Sequence, residues 1–521
     1  MKTIKKIILK NFKRFQNIEV DFDSYLNVFV GDNESGKSTI LQAIDIVLSG
    51  SRNKVENIGL ENLFNNQTIN DFMQSDRNLN NMPKLFIEIY LNEQNNFEVS
   101  GDNNSKEIIF DGLKLVCEPN HQEFSKFIKE VLSQPNASFP FEYYSIKFST
   151  FADQPHNRYT KYLRHIIIDN SSISSEYAMK GYVGDIYNAK VQNVEKLTNQ
   201  HKYREHKENF KNEVLSELNN RLENNYTFSL NTTPKSNLET DLTIKENDIF
   251  IEHKGKGKQC VIKTELALQR NQNLDIVLIE EPENHLSHIN MQKLIHRIRE
   301  TSDKQIFIAT HSDLISARLD LRKTILLNSN STVPLILNSV SADTAKFFMK
   351  APNNNILQFI LSKKVILVEG DAEYILMEAM YQKVTNEELN QSDIHIISVG
   401  GKRFKRYLDL ARMLEIKTAI IIDNDGDYQK NCVDNYSDYL NIDFIQIFSE
   451  NNNELRTFEI CLYSDNQFFC NSLFRPINRT VIDYMLDDRN KADCAFKILE
   501  NHEKNINVPQ YITEAIQWIR E

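Results

Sequence analysis

Apolar and polar positions alternate over residues 2–10 and again over Ile18–Phe22, with Asn11-Phe12-Lys13-Arg14-Phe15 as the turn between them, which predicts an N-terminal β-hairpin. Leu26-Asn-Val-Phe-Val30 is an apolar run short enough for a buried strand. It leads through a glycine-bounded loop into Ser38–Leu48, where apolar residues recur at helical spacing. Residues 51–80 are polar and Asn-rich and read as loops. Leu85–Leu91, Glu107–Phe110, Leu113–Cys117 and Tyr143–Phe148 read as strands of an antiparallel subdomain. From Ser174 to about Asn224 the pattern is helical and strongly charged with no deep apolar run, as suits an arm used for assembly rather than chemistry.

Strands resume at Tyr226–Leu230 and Asp248–His253, and Asp275–Ile279 and Gln305–Ala309 read as parallel strands flanked by helices. Ala351-Pro352-Asn-Asn-Asn355 is the best linker. Beyond it Lys364–Val368, His395–Val399 and Thr418–Ile422 are short buried strands of a smaller α/β unit. The expected divisions are 1–170 and 226–350 as two parts of one domain, 171–225 as a helical insertion, and 356–521 as a second domain.

With 521 residues, more than one folding unit is expected. The balance of 61 basic against 72 acidic residues, −11 net, excludes a uniformly polybasic nucleic-acid binder but leaves local basic patches open. Hydrophobic residues at 40% and charged ones at 26% suit a folded protein. The N-terminus lacks a secretory h-region, and no apolar run approaches the ~18 residues of a membrane span, so the expectation is a cytoplasmic protein without a membrane partner. The six cysteines form no C-x-x-C pair, which indicates neither a disulfide framework nor a thiolate zinc site.

Gly31-Asp-Asn-Glu-Ser-Gly36-Lys37-Ser38 fits G-x-x-x-x-G-K-[ST] between a predicted strand and a predicted helix, the context a phosphate-binding loop requires. The cradle would run from Gly31 through Asn33 and Gly36 to Thr39. Its backbone amides and the helix N-terminus would hold the α/β-phosphates of ATP, Lys37 would reach the β/γ-phosphates, and Ser38 would hold Mg²⁺. Ile276–Ile279 ends in Glu280 and Glu281, of which the first could bind Mg²⁺ through water and the second orient the attacking water. Gln305–Ala309 repeats the design and places His311 at another strand's carboxyl end.

These residues resemble the ABC-type ATPases, in particular the branch containing the SMC, Rad50 and RecF-like DNA-repair proteins. The resemblance implies Glu280 as Walker B, Glu281 as catalytic glutamate, His311 as switch histidine and Arg14 as a phosphate contact. It implies Gly255-Lys-Gly-Lys-Gln259, with Gly257, as the signature segment before its helix, and ATP sandwiched in a homodimer. Lys256 stands where that family has Ser, which leaves fast turnover unassured, and Gln154 is one of several candidates for the Q-loop glutamine.

Lys364–Val368 leads into Glu369, Gly370 and, a helical turn on, Glu373; Thr418–Ile422 leads into Asp423 and Asp425. Hard oxygen ligands at neighbouring strand ends suit Mg²⁺ or Mn²⁺ and make a two-metal site plausible. This set resembles the Toprim domain of topoisomerases, primases and OLD-type nucleases. An SMC-like ATPase followed by Toprim is similar to the OLD (overcoming lysogenization defect) family over nearly the whole chain. The implied fold class is α/β: an ABC-type P-loop ATPase domain with an inserted helical dimerisation arm, then a Toprim α/β domain. The resemblance also implies Glu459, in Leu455-Arg-Thr-Phe-Glu459, as a further metal ligand, and Lys491 as the cation that stabilises charge on the scissile phosphate.

Metal-activated water would attack a DNA phosphodiester, and the basic cluster Lys402, Arg403, Lys405 and Arg406 reads equally as a grip on DNA phosphates or as a solvated helix face. The expected function is that of an ATP-regulated endonuclease resembling anti-phage effectors. Such effectors act alone, with a helicase as in Gabija systems, or beside a retron reverse transcriptase and its DNA–RNA product. A non-cleaving RecF-like DNA sensor and a Toprim topoisomerase are the alternatives; no tyrosine module for the latter stands out.

Overall fold

The computed structural model describes the chain apart from residues 135, 158–159, 170–175, 222–226, 232–236, 270–273, 329–332, 352–354, 402 and 502–505. Packing divides it into two units, residues 1–319 with 323–338 and residues 320–322 with 339–521.

In the first unit the alternating N-terminal segments pair as antiparallel strands Ile4–Phe12 and Phe15–Asp21. The sheet continues through Leu85–Leu91, Phe110–Pro119 and Tyr144–Thr150. Alternation buries one face of it, including Ile7, Leu9, Ile87 and Leu115. A second sheet runs parallel in the order Thr324–Leu327, Leu26–Gly31, Gln305–Ala309, Ile276–Glu280 and His165–Asp169. Leu335–Ile336 adds to it antiparallel at the outer edge. These strands are apolar runs because both faces are covered. Helix Lys37–Ser49 packs on strands of both sheets, which is why it buries Ile40, Leu41, Ala43, Ile44, Ile46, Val47 and Leu48, an apolar set that goes nearly all round.

Several expectations change. Residues 51–80, expected as loops, contain helices Arg52–Ile58 and Asn66–Gln74, begun by the Ser51 and Asn65 side chains, which accept from the Lys54 and Thr68 amides. Each helix buries a single apolar side chain, Val55 or Phe72, so neither shows a stripe. Residues 107–109 are not strand: the preceding loop spends its polar groups on a buried side chain, the Ser105 amide and hydroxyl donating to Glu88 at 2.8 and 2.6 Å. Of Asp248–His253 only Ile249–Phe250 is extended, and 227–230 form no strand. His165–Asp169 was not anticipated, although it lies beside Ile276–Glu280 in register.

The helical insertion contains Glu176–Lys190, Asn193–Glu213 and Leu215–Asn219. Glu176–Lys190 is not a free arm: Met179, Tyr182, Val183, Ile186 and Ala189 are buried, and the Tyr182 hydroxyl donates to the Lys263 carbonyl.

The second unit is built on a parallel sheet ordered Ile394–Ser398, Lys364–Val368, Lys417–Ile421, Ile445–Phe448. Helices Asp371–Thr385, Lys491–Glu500 and Gln510–Arg520 close its core through Leu376, Met380, Cys494, Ile512 and Ile516. The division falls at 338/339 rather than at 350. Helix Ala342–Lys350 is held in this unit by Phe348 against Tyr407 and by Thr344, which donates to Asp409 at 3.2 Å. Among the described residues no helix is long and apolar enough to cross a membrane.

Candidate functional site

The phosphate-binding loop starts where strand Leu26–Gly31 ends. A side chain at Gly31 would place Cβ 2.1 Å from the Leu327 carbonyl oxygen, so only glycine lets the neighbouring strand pass. Gly36 has φ +100 and opens helix Lys37–Ser49; a Cβ there would lie 2.3 Å from the Phe15 ring. The loop is thereby braced by the N-terminal hairpin. Arg14 lies over the Phe15 ring at 5.3 Å and donates to the Glu34 carbonyl and, at 3.3 Å, to the Asn328 carbonyl. Lys37 is 4% exposed, and its ammonium donates to the carbonyls of Gly31 at 2.8 Å and Asp32 at 2.9 Å. Burial lowers its pKa, opposed by Glu281 and Asp32. Asn33 and Ser38 are exposed and Thr39 half-buried on the same loop and first turn.

Glu280 ends strand Ile276–Glu280 in hydrogen-bonding reach of the Ser38 hydroxyl. Burial pushes its carboxyl up, Ser38 opposes that, and Asp169 on the neighbouring strand adds to it. Glu281 follows with φ +46, its amide donating to the Ala309 carbonyl at 2.9 Å. Its carboxylate stands 3.4 Å from His311 Nε2, so the two expected catalytic groups meet. Burial and then Glu283 push Glu281 up to about 7, with Lys37 opposing. Burial and Lys37 lower His311. A polar cleft of about 520 Å³ adjoins Ser38 and Glu280 and is lined by Lys13, Gln42, Asp169, Tyr182, Asp185 and Lys263 among others.

Gly257 lies in the first turn of helix Lys256–Leu268, capped by Gly255, so the expected signature segment begins the helix rather than preceding it. A Cβ at Gly257 would sit 2.1 Å from the His285 carbonyl oxygen, so within one chain this glycine lets the turn after Glu281 come close. Gln154 lies in a turn beyond the antiparallel sheet, its side chain bonded to Ala152, and the structure brings it to no phosphate-loop residue by any hydrogen bond among the described residues.

In the second unit Glu369 follows strand Lys364–Val368, and the Gly401 amide donates to the Glu369 carbonyl at 2.9 Å, which ties the glycine turn to the strand end. Glu373 is buried in the first turn of helix Asp371–Thr385. Asp423 follows Lys417–Ile421, and its Oδ1 accepts the Phe458 amide at 2.8 Å. That bond presents the N-terminus of helix Phe458–Asp465 and brings in buried Glu459. Burial first, then Glu459 and Glu369, push Glu373 up to about 7; burial, then Glu373, Glu459 and Glu369, push Asp423 up to about 8. Lys491 Nζ stands 3.5 Å from Glu459, and although burial lowers its pKa, Glu459 and Asp488 raise it on balance. Asp425, φ +50, is exposed.

The donor set fits a divalent cation. Glu459 Oε2 is buried without a hydrogen-bond partner, and four hard carboxylates crowd together with Lys491 as their neighbouring cation. Among the described residues no three carboxylate, imidazole or thiolate groups converge closely enough to ligate one ion, so the acids are assembled as neighbours rather than as a finished ligand shell. Asp427 caps the next turn, accepting the Lys430 amide at 3.1 Å.

Of the basic cluster, Lys402 lies outside the described residues. Arg403 and Lys405 are exposed, over the rings of Phe347 and Tyr436 at 5.8 Å each. Arg406 instead donates to Thr344 Oγ1 at 3.0 Å, which makes it a brace for helix Ala342–Lys350.

Residues not anticipated include Asp169, Glu283 and the buried pair Asp45–His165, 3.0 Å apart with Lys54 beside them. For Asp169 a signal existed: Ile166-Ile167-Ile168-Asp169 repeats the apolar run and terminal acid of Ile276–Glu280.

The family model described as AAA ATPase domain matches residues 1–315, and the one described as overcoming lysogenization defect protein-like, TOPRIM domain, matches residues 360–425. Among relatives, the Old nuclease of Escherichia phage P2 is 26% identical over 179 residues, 32% of this chain and 30% of that protein. The DNA replication and repair protein RecF of Lactococcus lactis subsp. cremoris is 46% identical over 41 residues, 8% of this chain and 11% of RecF. The chain thus spans less than a third of the length of either relative. Among solved structures, an SMC head bound to the C-winged helix domain of ScpA aligns over 65% of this chain and 100% of its own, with TM-score 0.36 and 17% identity. The recombination mediator RecF aligns over 64% and 98%, with TM-score 0.32 and 11% identity.

Proposed function

Because the chain belongs to the OLD family, an AAA-type ATPase domain followed by an OLD-like Toprim domain, we propose that it is an ATP-regulated, divalent-metal-dependent DNA endonuclease. The observation that carries this reading is the carboxylate group Glu369, Glu373, Asp423 and Glu459, in which burial and the neighbouring acids push Glu373 and Asp423 up beside Lys491. Metal ions bound there would supply an activated water and charge neutralisation at the phosphodiester. Glu369, Glu373, Asp423 and Glu459, with Asp425, would hold them, and Lys491 would stabilise charge on the scissile phosphate. Arg403 and Lys405 contact the DNA backbone.

In the ATPase unit the loop amides and Lys37 hold the phosphates, with Arg14 reaching them from the hairpin. Ser38 and Glu280 would hold Mg²⁺, and Glu281 would take the proton of the attacking water with His311 positioned beside it. Gly257 belongs to the segment that meets the nucleotide across a homodimer. The biological role we assign is an anti-phage effector, stand-alone or paired with a helicase or a retron reverse transcriptase and its DNA–RNA product.

The test is plasmid cleavage by the full chain in Mg²⁺ or Mn²⁺, with and without ATP, alone and with the product of the neighbouring gene. Cleavage that disappears in Glu369→Ala supports the nuclease. Failure under all these conditions leaves DNA binding without cleavage as the better reading.

A further inference from the structure

Glu283 is an acid in a polar turn, with no apolar periodicity around it and no place in the roles assigned above. Its surroundings are nevertheless specific. Oε1 accepts two hydrogen bonds from the next strand's exit: the Thr310 hydroxyl at 2.8 Å and the His311 amide at 2.7 Å. Thr310 is fully buried, and its own amide donates to the Phe29 carbonyl at 3.2 Å, so the anchor for this clamp is the central sheet. Oε2 is buried with no hydrogen-bond partner. The carboxyl also lies in hydrogen-bonding reach of Glu281, two residues earlier.

Glu283 lies in the turn that follows Glu281, and through one oxygen it holds both the Thr310 hydroxyl and the His311 amide, so it joins the turn that carries Glu281 to the turn that carries His311.

We infer that Glu283 is a positioning residue of the ATPase reaction, fastening the His311 turn to the Glu281 turn so that the imidazole and the catalytic carboxylate keep their 3.4 Å separation. The inference rests on the reading of Glu281 and His311 as the hydrolytic pair. Without the clamp the His311 backbone loses its only side-chain acceptor among the described residues, and a misplacement on the order of 1 Å at a reacting centre costs about 100-fold in rate. Among the described hydrogen bonds Glu283 makes none to Ser38 or to the phosphate loop, and its influence on Lys37 ranks behind those of Glu281 and Asp32, so nucleotide affinity is expected to change little.

The experiment measures steady-state ATP hydrolysis and fluorescent-nucleotide affinity for the full chain. Glu283→Ala is expected to lower kcat at least tenfold with nucleotide affinity within twofold. Glu283→Gln, which keeps an acceptor oxygen for Thr310 and His311 and gains an amide that can donate to Glu281, is expected to restore most of kcat. Combined with His311→Ala, the Glu283→Ala change is expected to cost nothing further, because the two act through one element.

Three results overturn the inference: wild-type kcat in Glu283→Ala, parallel loss of kcat and nucleotide affinity in both Glu283 variants, or full additivity with His311→Ala. The control is Glu281→Gln. If it hydrolyses ATP like the wild type, or if the wild type itself does not turn ATP over, the reading of the pair fails. If Glu281→Gln is inactive and Glu283→Ala is not, only the role of Glu283 fails.

Discussion

Asp423→Asn should make the metal-free protein more stable while abolishing cleavage. At pH 7 an Asp423 carboxyl pushed up to about 8, against an ordinary 3.8, must fold with a proton that the unfolded chain does not carry, at a cost of about 4 kcal/mol. Burial contributes most to that cost, followed by Glu373, Glu459 and Glu369, and because Glu373 is itself raised by its neighbours the costs of Asp423 and Glu373 do not add. Asparagine has the same shape and keeps the Oδ1 acceptor for the Phe458 amide, so packing is retained and about 2–4 kcal/mol is recovered. For a unit of this size that is a rise of roughly 4–16 °C in the melting of residues 339–521. Because Glu373 and Asp423 are raised in the folded state, these two groups hold more protons in the native than in the unfolded chain between about pH 4 and pH 8, and their contribution makes stability in EDTA fall as pH rises through that window. Calorimetry in EDTA at pH 5, 6, 7 and 8 reads both effects, and a Mg²⁺ or Mn²⁺ titration should stabilise the wild type far more than the variant. An Asp423→Asn melt at or below wild type in EDTA at pH 7, or a wild-type stability that climbs from pH 5 to 8, would refute the reasoning.

At Gly36, alanine must adopt φ +100 and push its Cβ against Phe15, a combined cost on the order of 2–5 kcal/mol that should appear as at least a tenfold loss of ATP affinity; a normal binding isotherm would show that the hairpin does not brace the loop. Asp45 is buried, and although burial raises it, His165 and Lys54 hold it at about 2, so it contributes about 2 kcal/mol of stability above pH 4 that is lost as pH falls towards 2. Asp45→Asn should remove that acid limb from urea-unfolding profiles of the ATPase unit, and a wild-type-like limb would count against it. The Arg403→Ala/Lys405→Ala pair should weaken DNA binding and reduce the salt slope by about 2 in anisotropy titrations, whereas Arg406→Ala should leave the slope alone and lower the melting temperature. An unchanged slope in the pair would mark those side chains as a solvated helix face.

What the sequence makes legible is whatever sits on a periodic apolar frame. Glu280, Glu369 and Asp423 each end or closely follow a buried run, and a run of that kind announces both a parallel strand and the place where its last side chain emerges. Helices Arg52–Ile58 and Asn66–Gln74 are illegible for the complementary reason: caps and one buried side chain apiece hold them, and neither feature makes a stripe. His165–Asp169 has a run of only three isoleucines, too short to separate from a loop until its partner strand is known. Arg406 shows the limit for charge, since four clustered cations read alike in sequence, and only the hydroxyl of Thr344, 62 positions away, sets one apart.

The two sites differ in how their negative charge is compensated, and that difference bears on regulation. At the ATPase site Lys37 is buried with Glu281, Asp32, Glu283 and Glu280 around it, so the loop's cation and these carboxylates compensate one another. In the second unit Lys491 stands 3.5 Å from Glu459 and also lowers Glu373, yet burial and the neighbouring carboxylates still leave Glu373 and Asp423 raised, so both hold protons more tightly than free carboxyls. A site of that kind gains its working charge state only as cations displace those protons, which couples metal affinity to pH and to any movement of the helix Phe458–Asp465 that carries Glu459.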